Sequence, residues 1–480
     1  MTSQAAPDPH RWQALALVCS AMFMTVLDVS IVNVALPSIG SALDFSRENL
    51  QWVISAYAIA YGGFLLLAGR TADLLGRRRV FMTGLVVFTI ASLVCGLAQS
   101  EAMLIASRAV QGLGAAIVAP AALSIVTTLF PEGAERNKAL GIWGAVAGSG
   151  AAVGVLAGGV LTKEIGWEWI FFVNVPVGAL ALSLTRSLVK ESRVETDERS
   201  YDPLGALTVT SGIALAVYAI SKAPDVGWAT GRTIGLLAVA VALLAAFGWV
   251  ETHVAKPLVP FRIFRIRTLA AANLVGILLG AIIFSCFFLL TLYVQQVLHY
   301  SALRAGLTFV ATAGTAVVVA GLAQALVTRL GPKLPMAFGL ALMTAATLFY
   351  TQIPTSGSFA SALLPGYLLF GIGMPFAFIS VTIAALAGVG HDDAGLGSGL
   401  INTSQQVGGA VGVAVASTVF ATHFNTLLAS GHPASEALTG GFQRGFWVLA
   451  GIGVVTVVAA LALVRREEVS PAADAAPVTG

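Results

Sequence analysis

The feature that leaves this chain the fewest options is its succession of long apolar segments. A run of about 20 apolar residues is what an α-helix needs to cross the hydrocarbon core of a bilayer. Such runs recur near 14–36, 50–69, 80–98, 103–125, 139–161, 169–188, 203–222, 232–250, 269–296, 304–327, 334–352, 361–387, 398–424 and 443–464. Charged residues make up 10% of the chain and mean hydropathy is +0.87, whereas soluble domains carry about 25% charge. Backbone polar groups in lipid must bond within their own segment, so lipid-exposed spans of this length are helical. The expected fold class is an all-α polytopic membrane protein with fourteen transmembrane helices. An even number puts both termini on one side.

The cations set the orientation. Of the 26 Lys and Arg, nineteen fall on the side of the termini, six fall opposite, and Arg108 lies within the fourth span. The positive-inside rule then makes both termini cytoplasmic. It also accounts for the basic loops without nucleic acid. The expected location is a bacterial inner, or plasma, membrane. Met1 to His10 is polar and no cleavage site follows, so no signal peptide is expected. The cysteines Cys19, Cys95 and Cys286 all sit in apolar segments, and the six histidines are scattered. Neither pattern suggests a disulfide framework or a metal site, and no cofactor is expected.

Two long connections divide the chain. Residues 189–202 form a charged linker. Residues 251–268 contain the amphipathic Phe261-Arg262-Ile263-Phe264-Arg265-Ile266-Arg267, suited to a membrane surface. The expected division is 1–188, a six-helix bundle; 189–268, a linker with two additional helices; 269–466, a second six-helix bundle; and 467–480, a disordered cytoplasmic tail. Short basic turns follow spans two and ten, and glycine-rich span five is echoed by span thirteen. Related halves are a signature of secondary transporters.

Asp28 is the one carboxylate well inside an apolar span. An ionisable side chain at the bilayer centre costs at least ~2.5–3.5 kcal/mol on insertion scales, which marks it as a candidate proton or ion site. The alternative is an acid held structurally near Leu36-Pro37. Arg108 stays charged and must find an acid, a carbonyl or a wet cavity. Desolvation and a nearby cation act on Asp28 in opposite senses. If Arg108 lies beside it, that acid is poised between charge states, and a proton and a cationic substrate would compete for it. A purely structural Asp28–Arg108 pair is the competing reading.

Several motifs, in order, resemble one family. Gly69-x-x-x-Asp73-x-x-Gly76-Arg77-Arg78 resembles the signature loop of the major facilitator superfamily. Leu27-Asp28-Val29-Ser30-Ile31-Val32-Asn33-Val34-Ala35-Leu36-Pro37 resembles the first-span motif of its fourteen-span drug–proton antiporters, with Ser30 where Thr is common. Arg108-Ala109-Val110-Gln111-Gly112-Leu113-Gly114 is similar to the fourth-span motif. Gly150-x-x-x-Gly154-Val155-x-x-Gly158-Gly159 is similar to the fifth-span antiporter motif, with Val155 in place of the usual Pro. Trp167-Glu168-Trp169-Ile170-Phe171-Phe172-Val173-Asn174-Val175-Pro176 also fits. The resemblance covers essentially the whole chain and implies the major facilitator fold, two six-helix bundles plus two inserted helices.

It further implies that Asp28 and Arg108 handle protons or cationic substrate. Gly69, Asp73, Gly76, Arg77 and Arg78 would form a gating loop, with Asp73 in a charge relay. Gly150, Gly154, Gly158 and Gly159 would pack span five closely, as small-xxx-small faces do. Asn33, Trp52, Tyr57, Gln111, Gln295 and Gln405 are candidates to line a substrate cavity.

The function this supports is proton-coupled export of lipophilic, cationic drugs or toxic compounds by alternating-access antiport, a multidrug efflux permease. The alternative is a dedicated exporter of one metabolite or antibiotic, a neutral one included. The partners expected are protons, the small-molecule substrate and the bilayer, with the chain working as a monomer. An ATP-driven pump needs a Gly-x-x-x-x-Gly-Lys loop, and the chain has no Gly-Lys pair. No nucleophile–base pair or repeated filter points to an enzyme or a channel. Spans ten and eleven carry no acid, so dications should be poor substrates.

Overall fold

The computed structural model describes residues 9–130, 134–192, 202–254, 257–387 and 394–464. The expected disordered tail, 467–480, and linker residues 193–201 lie outside them. The described residues are built from helices: α1 (Arg11–Ala42), α2 (Trp52–Leu75), α3 (Arg77–Gly96), α4 (Glu101–Leu129), α5 (Ala134–Glu164), α6 (Asn174–Leu188), α7 (Pro203–Val226) and α8 (Gly231–His253). Then follow α9 (Arg267–Gln296), α10 (Ala302–Leu330), α11 (Lys333–Tyr350), α12 (Leu364–Leu386), α13 (Ala394–Ala429) and α14 (Ala434–Leu463).

Among the described residues, 12 helices are long and apolar enough to cross a membrane. The helix α2 contributes an apolar stretch, Trp52–Leu65, up to the first of its side chains outside the described set. The helix α5 holds many side chains outside the described set. The architecture is therefore an all-helical membrane protein with about twelve established spans.

Helix ends follow local chemistry. Ser100 accepts from Met103 N to cap α4, Asp202 accepts from Gly205 N to cap α7, and Ser301 caps α10. The α2–α3 joint needs Gly76, whose φ of 107° lies where an L side chain is strained.

Close packing rests on small residues. On α5, Gly150, Gly154 and Gly158 meet Val26, Leu27 and Ile31 of α1; a Cβ on Gly154 would lie 2.7 Å from the Leu27 carbonyl oxygen. On α13, Gly408 and Gly412 meet Ile277 and Ala281 of α9 in the same manner. Adding eight to each helix number maps the first contact onto the second. The same shift exchanges two further seams. In one, α2 meets α13 through Gly62, whose carbonyl accepts from Thr403 Oγ1 at 3.1 Å. In the other, α5 meets α10 through Gly159 against Leu303 and Gly306 against Val155.

The helix α7 breaks this pairing. It wedges beside the α2–α13 seam through Ile213 and Val217, packed with Ala58, Ile59, Ala410 and Ala414. The helix α8 lies outside α7 and exposes Val239, Val241 and Trp249, as a lipid-facing helix does. The amphipathic segment is a short 3-10 turn, Phe261–Arg265, with Ile263 buried and Arg262 and Arg265 exposed.

Candidate functional site

Arg108 and Gln111, three apart on α4, share a helix face. Gly112 lets α4 press against the Tyr57 backbone of α2, and this close approach brings Arg108 within reach of α2. Arg108 Nε donates to the Val53 carbonyl at 2.9 Å. Its Nη1 donates to Asp28 Oδ2 at 2.6 Å and to Gln111 Oε1 at 2.6 Å. The guanidinium also lies 4.4 Å from the centre of the Tyr57 ring, a cation–π contact.

Asp28 is completely buried. Its Oδ1 accepts from Gln111 Nε2 at 2.8 Å and from Asn174 Nδ2 at 2.9 Å. Ser92 of α3 completes the cluster. It accepts from Gln111 at 3.1 Å and from Asn174 at 3.0 Å, and donates to the Phe171 carbonyl at 2.9 Å. Helices α1, α2, α3, α4 and α6 therefore meet at one charge-neutral polar cluster in an apolar surround. An isolated buried charge is untenable there; a hydrogen-bonded pair is not.

The geometry brings Asp28 and Arg108 together. Each carboxylate oxygen of Asp28 has at least one donor. Arg108 is held besides by the Val53 carbonyl, Gln111 and the Tyr57 face. Asn174 and Ser92 were not expected as site residues. Asn174 lies in a motif noted above; Ser92 had no signal beyond being a serine in an apolar span.

The remaining candidates are dispersed. Tyr57 and Gln111, expected to line a cavity, belong to the Asp28 cluster. Trp52 packs against Tyr218 of α7, ring centres 6.4 Å apart. Asn33 bonds back to the Val29 carbonyl of its own helix at 2.8 Å. Gln295 Nε2 crosses from α9 to the Val34 carbonyl of α1 at 2.9 Å. Gln405 is buried, and its Nε2 has no hydrogen-bond partner.

In the signature loop, the side chain of Asp73 lies outside the described residues, so its charge relay does too. Gly69 leans on Pro120, and a Cβ on Gly76 would strike Glu191 Oε1 at 2.6 Å. The Arg77 N–H donates to the Ser192 carbonyl at 2.9 Å and the Arg78 N–H to Glu191 Oε1 at 3.1 Å. Glu191 Oε2 lies 3.7 Å from Arg78 and 3.6 Å from Arg79. An acid from the chain after α6 thus clasps the loop, a partner the linear motif does not reveal.

The chain is 38% identical over 473 residues to the puromycin resistance protein pur8 of Streptomyces alboniger, covering 98% of this chain and 94% of that one. It is 40% identical over 410 residues to the cephamycin export protein CmcT of Amycolatopsis lactamdurans, covering 85% and 84%. It is 34% identical over 421 residues to the multidrug resistance protein Stp of Mycobacterium tuberculosis, covering 87% and 78%. Its fold matches a crystal structure of a bacterial homologue of the human lysosomal transporter Spinster, inward-facing and unoccupied. That match has a TM-score of 0.71 at 17% identity and covers 98% of this chain and 100% of that one. Residues 18–413 match the family model of the Major Facilitator Superfamily. On the sequence match, the relatives and the helical architecture together, this chain belongs to the Major Facilitator Superfamily, and it is a multi-pass membrane transporter rather than an enzyme.

Proposed function

We propose that this protein exports lipophilic drugs or antibiotics from the bacterial cytoplasm in exchange for protons, with Asp28 as the proton-binding group and Arg108 as its internal counterion. The observation that carries this reading is the occluded Asp28–Arg108 cluster. It sets one fully hydrogen-bonded carboxylate against one guanidinium inside the bundle, and a buried intramembrane acid is the group on which proton handling would rest. The named relatives for puromycin, cephamycin and multidrug resistance support the substrate class.

In this reading the chain crosses the membrane fourteen times, α2 and α5 included, with both termini cytoplasmic and the protein working as a monomer. It comprises two six-helix bundles, α1–α6 and α9–α14, with α7 and α8 inserted. The α5–α10 seam and the Gln295–Val34 bond close the outer side.

A specific observation favours a second reading of the substrate. Arg108 occupies the position a cationic drug would need to compete for Asp28, so the acid selects for no charge on the substrate in this state. A dedicated exporter of one antibiotic, a neutral one included, fits that geometry as well. Proteoliposomes loaded in turn with a fluorescent lipophilic cation and a neutral lipophilic antibiotic separate the two. Under an imposed pH gradient, transport of both supports the broad reading and transport of the neutral compound alone supports the narrow one. Transport of neither under a gradient would refute proton-driven export of these classes.

A further inference from the structure

A second pair of acids lies where α7 begins and α8 ends. Asp202 is 2% exposed and Glu251 4%. Each uses one oxygen well. Asp202 Oδ1 accepts from Gly205 N at 2.7 Å, and Glu251 Oε2 accepts from Val259 N at 3.0 Å. The other oxygens, Asp202 Oδ2 and Glu251 Oε1, are buried with no hydrogen-bond partner. They converge on one point: a Cβ placed on Gly205 would touch Asp202 Oδ2 and lie 2.9 Å from Glu251 Oε1. The Asp202 carboxyl lies within hydrogen-bonding reach of Glu251. Two carboxylates so placed cannot both stay charged, because like charges sharing a dry site repel strongly.

We propose that Asp202 and Glu251 are a second protonation site, sharing one proton between Asp202 Oδ2 and Glu251 Oε1, and that this proton latches the α7–α8 hairpin onto the transporter core. The helix ends say which acid holds it. Asp202 caps the N-terminus of α7, where the helix dipole favours an anion. Glu251 lies in the last turn of α8, where the dipole opposes one. Glu251 therefore carries the proton and donates it to the Asp202 carboxylate.

The latch has an apolar seat that joins both bundles. Ala206, Leu258, Val259 and Ile263 pack with Leu269 of α9 and Leu400 of α13, and Phe64 and Leu67 of α2 lean on the same cluster. Loss of the proton leaves two facing carboxylates and loosens this seat at the end of α2 that carries the signature loop. Among the described residues, the basic side chains on the neighbouring segments are exposed to the surface. His253 of α8 is exposed and stacks on Trp249 at 4.5 Å; Arg262, Arg265 and Arg267 are exposed. The side chain of Arg70 and residues 193–201, with Arg193 and Arg199, 255–256, with Lys256, and 388–393 lie outside the described residues.

The test is the thermal stability of the full-length protein in lipid nanodiscs, scanned between roughly pH 5 and pH 9, for wild type, Glu251→Gln and Asp202→Asn. The folded protein holds a proton that the opened pair releases. Stability should therefore fall as pH rises, by up to about tenfold per pH unit in the latched-to-open ratio. In Glu251→Gln the amide donates at every pH, so that fall should vanish; Asp202→Asn should also flatten it. Infrared spectra of wild type should show a protonated carboxyl band that titrates over the same range and is missing from Glu251→Gln. A Glu251→Gln profile superimposable on wild type overturns the proposal, as does a wild-type protein without that band. Stabilisation of wild type, but not of Glu251→Gln, by calcium or sodium at constant ionic strength would overturn it in favour of a metal ion. The readouts involve no transport, so they stand whether or not Asp28 couples protons.

Discussion

Replacing Asp28 by Asn keeps its shape and removes its charge, and the hydrogen bonds show why the exchange is not harmless. Oδ2 faces the Arg108 guanidinium, and Oδ1 faces two amide donors, Gln111 and Asn174. An Asn amide must point its NH2 group at one set or the other, so at least one donor meets a donor. Arg108 is also left as a buried, unpaired charge. Removing one partner of such a pair costs about 3–5 kcal/mol, and Arg108→Gln should cost a similar amount by stranding Asp28. Added independently, the two losses would reach about 6–10 kcal/mol, comparable to the whole stability of a domain. The double variant Asp28→Asn/Arg108→Gln restores a neutral cluster and should lose less than that sum by about 1–3 kcal/mol. Tryptophan fluorescence during denaturant titration of the detergent-solubilised protein, with size-exclusion profiles as a folding check, measures all four states of the cycle. Additivity within about 0.5 kcal/mol would refute the coupling on which the site rests.

Other outcomes follow from single contacts. Gly154→Val drives a branched side chain onto the Leu27 carbonyl and Ser30 of α1; it should destabilise by about 1–3 kcal/mol and reduce transport, as read by thermal melting and efflux at matched expression. Gly76→Ala forces a φ of 107° on an L residue at about 1–2 kcal/mol. It should stay impaired in a Glu191→Ala background, because removing the steric partner leaves the backbone strain. Gln295→Leu removes the bond to Val34 O, worth about 0.5–1.5 kcal/mol, and should raise thiol labelling of an engineered cysteine near the C-terminal end of α9 several-fold. Dications should be exported more slowly than monocations of similar size, since α10 and α11 carry no acid; faster dication efflux with more than one proton per cycle would count against this.

The charges of the site were legible because lipid makes them conspicuous. A carboxylate in span one and a guanidinium in span four must each find a partner, and pairing them with each other is the economical solution. Neutral polar residues give no such signal. Ser92 and Asn174 look like any small polar residue in an apolar span, and Gln111 was equally compatible with a cavity wall. Glu191, Asp202 and Glu251 read as ordinary linker charges at span ends. Their roles depend on how the chain after α6 returns to the loop and how α7 folds back on α8, which are tertiary facts. The sequence reads as fourteen spans, of which twelve are established among the described residues.

The central claim is that Asp28 binds the coupled proton, and reconstituted transport tests it most directly. Wild type and Asp28→Asn would be compared in proteoliposomes for two activities: uptake driven by an imposed pH gradient, and exchange of labelled for unlabelled substrate without a gradient. The account predicts that Asp28→Asn retains exchange and loses gradient-driven uptake. Gradient-driven uptake by the variant at the wild-type rate would contradict it, leaving the Asp28–Arg108 pair as structure alone.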